Sequence, residues 1–488
     1  MQYKITCKRA FISILFHGIR NMSILYTCKR EKIEEIMLID FSVANFRSFG
    51  EEQSLSMIAG GKFKDHEHHC VSMPRTEKQI LKTSVIYGAN AAGKSNLVKA
   101  IDFVRDLVVF DVDPAKRIAV NQFRFTDTAD QVASFDIRFL AEGRIYQYGF
   151  DLNISGIVAE WLVATNDSNR EVEIFNRVGQ EISLGNLKSF SDDGSTSASA
   201  LIALKQLGAR PNQLLLNKVV DLAPEKRGSL LHSACWWFTA CLTVIEPSSH
   251  FGSLLTLLDS NKEFSEFAKQ FLETIGTGID ALNVEQVEID TDQMPKEIVE
   301  GLQQVGDSEA VFSLGPGSDM RLDTSDSKKM VRRNLMSGHR IGAKDYTLSF
   351  SDESDGTQRF MNLLPALFYL SNTCHVFVID ELDRSLHPLL SYQLLKFFTE
   401  ACPGSGQQMI VTTHETHLLD QDLLRRDEIW FVEKDDSQQS KLTSLANMNV
   451  RKDMRIEKGY LHGRFGGVPF IGNTDRLMEF LRCEVGES

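Results

Sequence analysis

The sequence lacks the features of a secreted, disulfide-stabilised or strongly basic protein. Its 8 cysteines, scattered among 488 residues, include no Cys-x-x-Cys pair, which favours a reduced, cytoplasmic protein over a disulfide framework. Positive charge is not in excess, since 53 Lys and Arg stand against 66 Asp and Glu, a net charge of -13. Broad, charge-driven coating of nucleic acid is therefore excluded, although a local basic patch is not.

The sequence also lacks a hydrophobic run long enough to cross a bilayer. The most apolar internal stretch, Leu230 to Ile245, covers 16 residues and includes His232 and Thr239. A spanning helix needs about 20 mostly apolar residues. We therefore predict a buried helix here and no membrane association.

Residues 1–36 differ from the rest of the chain. They are rich in Lys and Arg around a short apolar run from Phe11 to Phe16, without a clear cleavage site for a signal peptide. Met37 begins a better domain start, MLIDFSVANFRSF. We expect residues 1–36 to be an N-terminal extension that is not native, from an upstream start-codon assignment.

A phosphate-binding loop is the strongest motif in the chain. A short β-rich run, Ser84 to Tyr87, leads into GANAAGKS, which fits G-x-x-x-x-G-K-[ST] and precedes a helical pattern. In this loop, backbone N–H groups cradle phosphates, Lys94 reaches the β- and γ-phosphates, and the Ser95 hydroxyl ligates Mg²⁺. The predicted nucleotide-binding residues of the loop are Gly88, Asn90, Ala91, Ala92, Gly93, Lys94, Ser95 and Asn96.

Two later strands supply candidate catalytic groups. HVFVIDE is an apolar strand ending in Asp380 and Glu381, and QMIVTTH ends in His414. Strands apolar on both faces are typical of the centre of a parallel sheet. Beside a phosphate loop, Asp380 is expected to hold Mg²⁺, Glu381 to activate the attacking water, and His414 to contact the γ-phosphate or that water.

A cluster of small polar residues precedes the Asp380 strand. Ser354-Asp355-Gly356-Thr357-Gln358 leads into a predicted helix from Arg359 to Leu370. Such a helix N-terminus can bind an anion, and the same residues can also serve as an ordinary helix cap.

In this order, the motifs resemble those of ABC-type ATPase heads of the SMC/RecF class. The likeness rests on GANAAGKS, SDGTQ, VFVIDE, LDRSLHP and VTTHETH, and on IDFSVANFRSFG near the N-terminus. It is strongest to AAA-family ATPases of the bacterial abortive-infection and OLD-related group, which includes the ATPase component of PARIS-type anti-phage defence. The resemblance covers Met37–Asn153 and Ser337–Ile471.

The resemblance implies an α/β fold: a P-loop NTPase with an ABC/SMC-like head, in which a mostly parallel sheet flanked by helices accompanies an antiparallel β-layer. It also implies that Arg47 and Ser48 touch the nucleotide and that Gln122 joins the Mg²⁺ site. ATP and Mg²⁺ are the implied cofactors. Such heads close ATP between two copies, so Ser354 and Gly356 are expected to serve a neighbouring subunit in an ATP-bound dimer.

The chain is expected to divide into four parts. After the extension 1–36, an N-terminal lobe of the head spans 37–153 and carries the phosphate loop. Residues 154–335 form a mainly helical insertion with a partner or regulatory role. The C-terminal lobe, 336–488, carries the signature SDGTQ, the Walker B carboxylates and His414. Strands at Leu38–Phe46 and Leu55–Met57, and a hairpin around Glu142-Gly143, fit the β-layer.

Two further patterns are weaker. His66-Glu67-His68-His69-Cys70 lacks the spacing of a tetrahedral finger, and we interpret it as an exposed loop instead of a metal site. Two basic clusters, 328–333 and 451–464, could contact DNA or an acidic partner, although a solvated face is the commoner outcome.

Two functional classes remain. The favoured one is an ATP-driven switch or scaffold in bacterial anti-phage defence, controlling an effector protein, a nuclease or toxin encoded nearby. The alternative is a RecF/SMC-like ATPase of DNA repair or DNA-end binding. Only 74 residues follow His414, too few for an in-chain nuclease domain of the OLD type. A transporter ATPase is disfavoured by the LDRSLHP turn and the long insertion.

Overall fold

The structure, a computed structural model, describes most of the chain. The described residues are 36–125, 132–186, 196–222, 230–247, 254–290, 311–315, 317–322, 329–369, 375–401, 406–450 and 454–465. Residues 1–35 of the predicted extension lie outside them, and the one described residue of that segment, Ile36, is buried. No helix among the described residues combines the length and hydropathy needed to span a bilayer.

A six-stranded, mostly parallel sheet carries the phosphate loop. Its strand order is β11-β17-β18-β5-β19-β20, and only β20 is antiparallel. The strands are β5 (Thr83–Gly88), β11 (Leu242–Ile245), β17 (Val376–Ile379), β18 (Gln408–Thr413), β19 (Ile429–Lys434) and β20 (Ser440–Ser444). Every residue of β5, β17 and β18 is buried, as expected for strands covered on both faces.

A seven-stranded antiparallel sheet forms the second layer, in the order β10-β9-β8-β7-β6-β1-β2. It comprises β1 (Met37–Ala44), β2 (Gln53–Ser56), β6 (Ala133–Ala141), β7 (Arg144–Asn153), β8 (Gly156–Thr165), β9 (Glu171–Val178) and β10 (Glu181–Leu184). The predicted hairpin around Glu142-Gly143 is the β6–β7 pair. A small hairpin, β3 (Cys70–Ser72) with β4 (Gln79–Leu81), leads into β5.

The side chain of Gln408 is one of those that join the two layers directly. Gln408, the first residue of β18, donates through Nε2 to the carbonyls of Leu38 (2.9 Å) and Leu81 (2.8 Å), and its Oε1 accepts from Leu38 N at 2.6 Å. All these groups are buried, so the amide satisfies backbone groups that would otherwise be costly to bury. The contact fixes the antiparallel layer against the edge at which β18 begins.

Helices cover both faces of the parallel sheet. They are α1 (Lys94–Val109), α2 (Thr196–Leu207), α3 (Leu215–Leu222), α4 (Leu230–Trp236), α5 (Leu254–Ser260), α6 (Lys262–Thr274), α7 (Asp355–Tyr369), α8 (Pro388–Ala401) and α9 (Ile456–Leu461). The apolar face of α1, with Leu97, Ile101, Val104 and Val108, is buried in the core that also contains β1, β6 and β7. The phosphate-loop helix therefore lies between the two layers.

Residues 154–335 were expected to form a mainly helical insertion, but their described part contains strands of three sheets as well as helices. Its strands β8 to β10 extend the antiparallel layer, and β11 forms an edge of the parallel sheet. A third, five-stranded sheet follows, with β12 (Ala281–Asp290), β13 (Val311–Gly315), β14 (Ser318–Leu322), β15 (Lys329–Ile341) and β16 (Lys344–Ser349). Much of this segment is thus built into the head by backbone pairing, which a scan for helical patterns does not detect.

The apolar stretch from Leu230 to Ile245 is not a single helix. After α4, a π-helical turn covers Trp237–Cys241 and the chain then enters β11. The β-branched residues at its end favour a strand, and β11 pairs in parallel with β17. Trp237 is fully buried and stacks on Phe139 at 4.5 Å, in keeping with a core role.

Candidate functional site

The phosphate loop lies between β5 and α1, as its sequence predicts. Gly93 has φ 122° at the helix N-cap and Ala91 has φ 62°, conformations that turn backbone N–H groups inward. Gly88 faces the Val432 carbonyl of β19 at a distance that leaves no room for a Cβ atom. Asn90 is exposed and Ala92 is buried, so the loop presents one open side.

Lys94 lies at the base of this loop and is buried. Its Nζ donates to the carbonyls of Gly88 (2.8 Å) and Ala89 (3.1 Å), and to Nε2 of His414 at 3.0 Å. Burial lowers the pKa of Lys94 to about 8, and nearby carboxylates led by Asp380 partly oppose that shift. The ammonium is thus a desolvated cation at the place where phosphate oxygens are expected.

Asp380 and Glu381 follow β17 and lie at the same edge of the sheet. Asp380 is buried, its Oδ1 accepts from Thr412 Oγ1 at 2.5 Å, and its backbone carbonyl accepts from Arg359 at 3.0 Å. Glu381 has φ 50°, and its N–H donates to Thr412 Oγ1 at 2.8 Å. One threonine hydroxyl therefore fixes both carboxylate residues from the neighbouring strand, β18.

Oxygen groups suited to Mg²⁺ are present at this edge. Asp380 offers a buried carboxylate with Oδ2 outside the Thr412 bond, and Ser95 is a half-buried hydroxyl in the first turn of α1. Hard oxygen ligands of this kind fit Mg²⁺. Gln122 lies in the loop beside Arg47, whose N–H donates to Asn121 O at 2.7 Å. The role of Gln122 as a Mg²⁺ ligand stays a prediction.

His414 follows β18 and completes the cluster. Its backbone N–H lies 3.3 Å from both oxygens of Asp383, two residues beyond Glu381. Burial of the ring and the charge of Lys94 lower the pKa of His414, which favours the neutral imidazole that accepts from Lys94. The ring is therefore held over the phosphate loop as a hydrogen-bonding group.

Arg47 and Ser48, which were predicted to touch the nucleotide, lie in a turn against the phosphate loop. Ser48 Oγ accepts from Asn96 Nδ2 at 2.8 Å and lies 2.7 Å from Ser440 Oγ, which itself lies 2.6 Å from Ala92 O. Arg47 has φ 53° and its guanidinium lies 5.5 Å from the Phe46 ring centre. Ser48 thus contacts the loop directly, whereas Arg47 is placed beside it.

The signature residues lie at the N-terminus of α7. Ser354 is exposed, and its Oγ accepts from Thr357 N at 3.2 Å, which is a helix cap. A Cβ on Gly356 would lie 2.6 Å from the Ser385 carbonyl, so glycine permits the helix to pack on the turn after Glu381. The structure shows the helix cap; the role of Ser354 and Gly356 as an anion site stays a prediction.

Three residues of the site were missed by sequence reasoning. Thr412 is part of the VTTH motif, but its bond to Asp380 depends on the β17–β18 register. Arg359 directly follows the signature, and its buried guanidinium spans from Glu246 O (3.0 Å) to Asp380 O. Ser440 has no local motif at all, because only the β19–β20 pairing brings it to the phosphate loop.

Fold and site together define a P-loop ATPase head of the ABC/SMC-like class. The family model described as "AAA domain, putative AbiEii toxin, Type IV TA system" matches residues 84–201 and 279–420. These segments cover more than half of the chain. The protein belongs to this AAA family.

Solved structures show distant likeness over most of the chain. The SMC head domain from Thermotoga maritima is 13% identical, covers 83% of this chain and 98% of its own, and has a TM-score of 0.35. The structure described as "recombination mediator protein RecF-ATPrS in RecFOR pathway" is 12% identical, covers 85% of this chain and 100% of its own, and has a TM-score of 0.32. The comparison with curated proteins finds no match.

Proposed function

We propose that the protein is an ATP-hydrolysing switch whose nucleotide site is completed by a second copy of the chain. The observation that supports this most directly is the convergence of Lys94, Asp380, Glu381 and His414 at one edge of the parallel sheet, around a loop whose shape suits phosphate. ATP is the substrate, and Mg²⁺ is the expected metal.

The chemistry follows from the groups present. Backbone N–H groups of Gly88–Gly93 and the Lys94 ammonium bind the phosphates. Mg²⁺, held by Ser95 and Asp380, would neutralise charge on the β- and γ-phosphates. Glu381, half-buried and held by Thr412, orients the attacking water and accepts its proton. His414 positions that water or the γ-phosphate through its neutral ring.

The position of the signature supports closure between two copies. The α7 N-terminus is tied through Arg359 to Glu246 and Asp380, which follow β11 and β17. In the sheet, β11 is the third strand from β5 and β17 is the second. At ordinary strand spacing they lie about 14 Å and about 10 Å from β5, respectively. Ser354 and Gly356 therefore lie to the side of their own phosphate loop and face outward, where a second copy's ATP can meet them.

A mixing experiment tests this composite site. Lys94→Ala removes the phosphate-binding cation, and Ser354→Arg places a bulky side chain at the exposed signature. Each variant alone should be inactive. A one-to-one mixture should recover roughly a quarter of wild-type ATP hydrolysis, since half of randomly paired dimers contain one intact site. If the mixture stays inactive while both variants dimerise, or if Ser354→Arg alone is active, the composite site is refuted.

The biological role we propose is bacterial anti-phage defence, with ATP state controlling a protein effector. The family description, which names a putative toxin and a toxin–antitoxin system, supports this setting, as does the net charge of -13, which favours a protein partner over nucleic acid. The described cysteines are free thiols, in keeping with a reducing cytoplasm.

Capture of the partner tests this role. Glu381→Gln should hold ATP without hydrolysis and so retain both the dimer and its partner. A tagged Glu381→Gln protein should recover a nuclease or toxin encoded beside it, whereas the matched Lys94→Ala protein should not. Equal recovery by both variants, or recovery of DNA alone, would reject control of an effector by ATP.

A DNA-binding ATPase is the second candidate, and one surface favours it. Arg455, Lys458 and Arg464 are exposed near the C-terminal end of the described residues. The first basic cluster is weaker than its sequence suggests, because Arg333 is buried and pairs with Asp319 at 2.6 Å; Lys328, Arg451 and Lys452 lie outside the described residues. Duplex-stimulated hydrolysis that disappears in Arg455→Ala/Lys458→Ala/Arg464→Ala would favour this candidate.

A further inference from the structure

A histidine cluster lies in the loop between β2 and β3. His66, His68 and His69 surround a 3-10 turn formed by Glu67–His69, and one ring nitrogen from each lies within 4.8 Å of the others. In a 3-10 turn, residues three apart are eclipsed, and accordingly the rings of His66 and His69 stack at 4.9 Å. The His68 ring lies 4.4 Å from that of His69 at an angle of 86°.

Hydrogen bonds hold two of these rings and fix which nitrogen each presents. His66 Nε2 lies 2.9 Å from the Gln421 carbonyl, to which it can only donate. His69 Nδ1 lies 3.0 and 3.1 Å from the two oxygens of Glu428. With the His69 proton on Nδ1 and donated to Glu428, the lone pairs lie on Nδ1 of His66 and Nε2 of His69. An imidazole oriented by a carboxylate through its other nitrogen is the usual arrangement of a metal-binding histidine.

The backbone and the burial of the cluster also suit a fixed site. His66 has φ 51°, a left-handed conformation that is uncommon outside glycine but that His adopts more readily than most side chains. His69 is 2% exposed and Glu428 is fully buried.

The surrounding charges are balanced. Lys82 and Arg425 act on His69 and oppose a cation. Arg425, however, pairs with Asp427 at 2.9 Å, and the buried carboxylate of Glu428 faces the ring directly. Glu400 acts on the exposed ring of His68 in the direction that favours positive charge. The carboxyl groups that face the rings are Glu428, which also accepts from the Arg425 backbone N–H at 2.8 Å, and Glu400, which acts on His68.

We propose that His66, His68 and His69 bind one divalent transition-metal ion of the zinc type, with Glu428 orienting His69. Zinc–nitrogen bonds of about 2.0–2.1 Å place tetrahedral ligands about 3.3 Å apart, so closure requires a modest rotamer change. His68 is exposed and free to make it. Three histidines leave the fourth position for water or a carboxylate.

This metal is distinct from the Mg²⁺ of the nucleotide site. Lys82, which donates its backbone N–H to His69 O at 2.8 Å, precedes β5, and Glu428 precedes the parallel strand β19. The cluster thus lies at the N-terminal edge of the sheet, whereas the phosphate loop follows the C-terminal end of β5. Six residues of strand separate the two, or about 20 Å. The ion would join the 60–70 loop to the 421–428 segment.

Metal titration of the full chain, carrying no polyhistidine tag, tests the proposal. We expect one Co²⁺ per chain with visible d–d absorption, displaced by Zn²⁺, and a higher melting temperature with Zn²⁺. His68→Ala should lose binding and the thermal shift while ATP binding is unchanged. The matched control is His462→Ala, an exposed histidine outside the cluster, which should bind as wild type. Glu428→Gln should weaken binding roughly 10–100-fold.

The opposite results would overturn the assignment. If wild-type protein binds no Co²⁺ at micromolar concentrations, or if His68→Ala and His462→Ala bind equally, the rings are a packing cluster and not a metal site. Because His68 is exposed, its removal should leave the fold intact, and the unchanged ATP affinity verifies that in the same preparation.

Discussion

We predict that Thr412 controls the geometry of Glu381, the proposed hydrolytic carboxylate, and the matched change Thr412→Val tests this. Valine has the same shape but no hydroxyl. It removes the 2.5 Å bond to Asp380 Oδ1 and leaves the Glu381 N–H, otherwise bonded at 2.8 Å, without that acceptor. A hydrogen bond to a charged group contributes about 1.5–3 kcal/mol, and an unsatisfied N–H costs about 1–3 kcal/mol.

The loss of these hydrogen bonds should mainly lower the turnover rate, kcat. Glu381 holds a left-handed φ of 50°, and without Thr412 its backbone can relax and displace the carboxylate. A displacement of about 1 Å can reduce a rate by about 100-fold. We therefore expect kcat to fall by about 10- to 100-fold, with ATP affinity within about twofold of wild type, since Lys94 and the phosphate loop are untouched.

The assay is single-turnover ATP hydrolysis together with equilibrium binding of a fluorescent ATP analogue. Thr412→Ser keeps the hydroxyl and should recover most of the rate. Thr399→Val removes a buried hydroxyl of α8 that donates to Lys396 O at 3.0 Å within its own helix, and it should leave turnover unchanged. Turnover of Thr412→Val within twofold of wild type would refute the role of Thr412, and a parallel loss of ATP binding would show a fold defect instead.

Four further predictions concern the same edge of the sheet. ATP affinity should fall as pH rises through about 8, because burial lowers the pKa of Lys94 to about 8 and only the cation attracts phosphate; calorimetric titration checks this, and a flat profile contradicts it. Between about pH 8 and pH 10.5 the unfolded chain holds a proton on Lys94 that the folded chain has lost. The free energy of unfolding should therefore rise with pH over this range. Lys94→Met should abolish this rise, as measured by thermal melts at several pH values. Arg359→Met should cost about 1.5–3 kcal/mol in chemical denaturation, with weaker ATP-induced dimerisation, because it removes the hydrogen bonds from α7 to the Glu246 and Asp380 carbonyls; unchanged dimerisation would contradict it. Gly88→Ala should abolish ATP binding, whereas Gly61→Ala, which meets open space, should not; binding by both would contradict the steric reasoning.

The contiguous motifs of the site could be predicted from the sequence, whereas their fixing contacts could not. Gly88–Ser95 and Asp380–Glu381 are local patterns in which residue type and spacing carry the chemistry. Ser440 contacts Ser48 across 392 positions, and no local pattern reports such a pairing. The roles of Arg47 and Gln122 remain predictions for the same reason, because they depend on a nucleotide and metal geometry that side-chain identity does not set.

The errors of sequence reasoning have a common physical cause. β11 follows a helix within one apolar stretch, and burial on all sides hides the change of period. Arg333 belongs to a basic run, yet the alternation of β15 turns it inward to Asp319 while Arg332 faces solvent. In both places tertiary pairing decided the outcome over local composition.

The position of β18 between β5 and β17 also has a consequence for synthesis of the protein. β5 pairs on one side with β18 and on the other with β19, and both strands follow it by more than 300 residues. At ordinary translation rates of about 5–20 residues per second, the phosphate loop waits roughly 15–65 s for its neighbours. During that interval β5 has two unpaired edges, which invite aggregation. Nascent chains therefore cannot assemble a complete nucleotide site before nearly the whole polypeptide has emerged, and we expect chaperone dependence during this window.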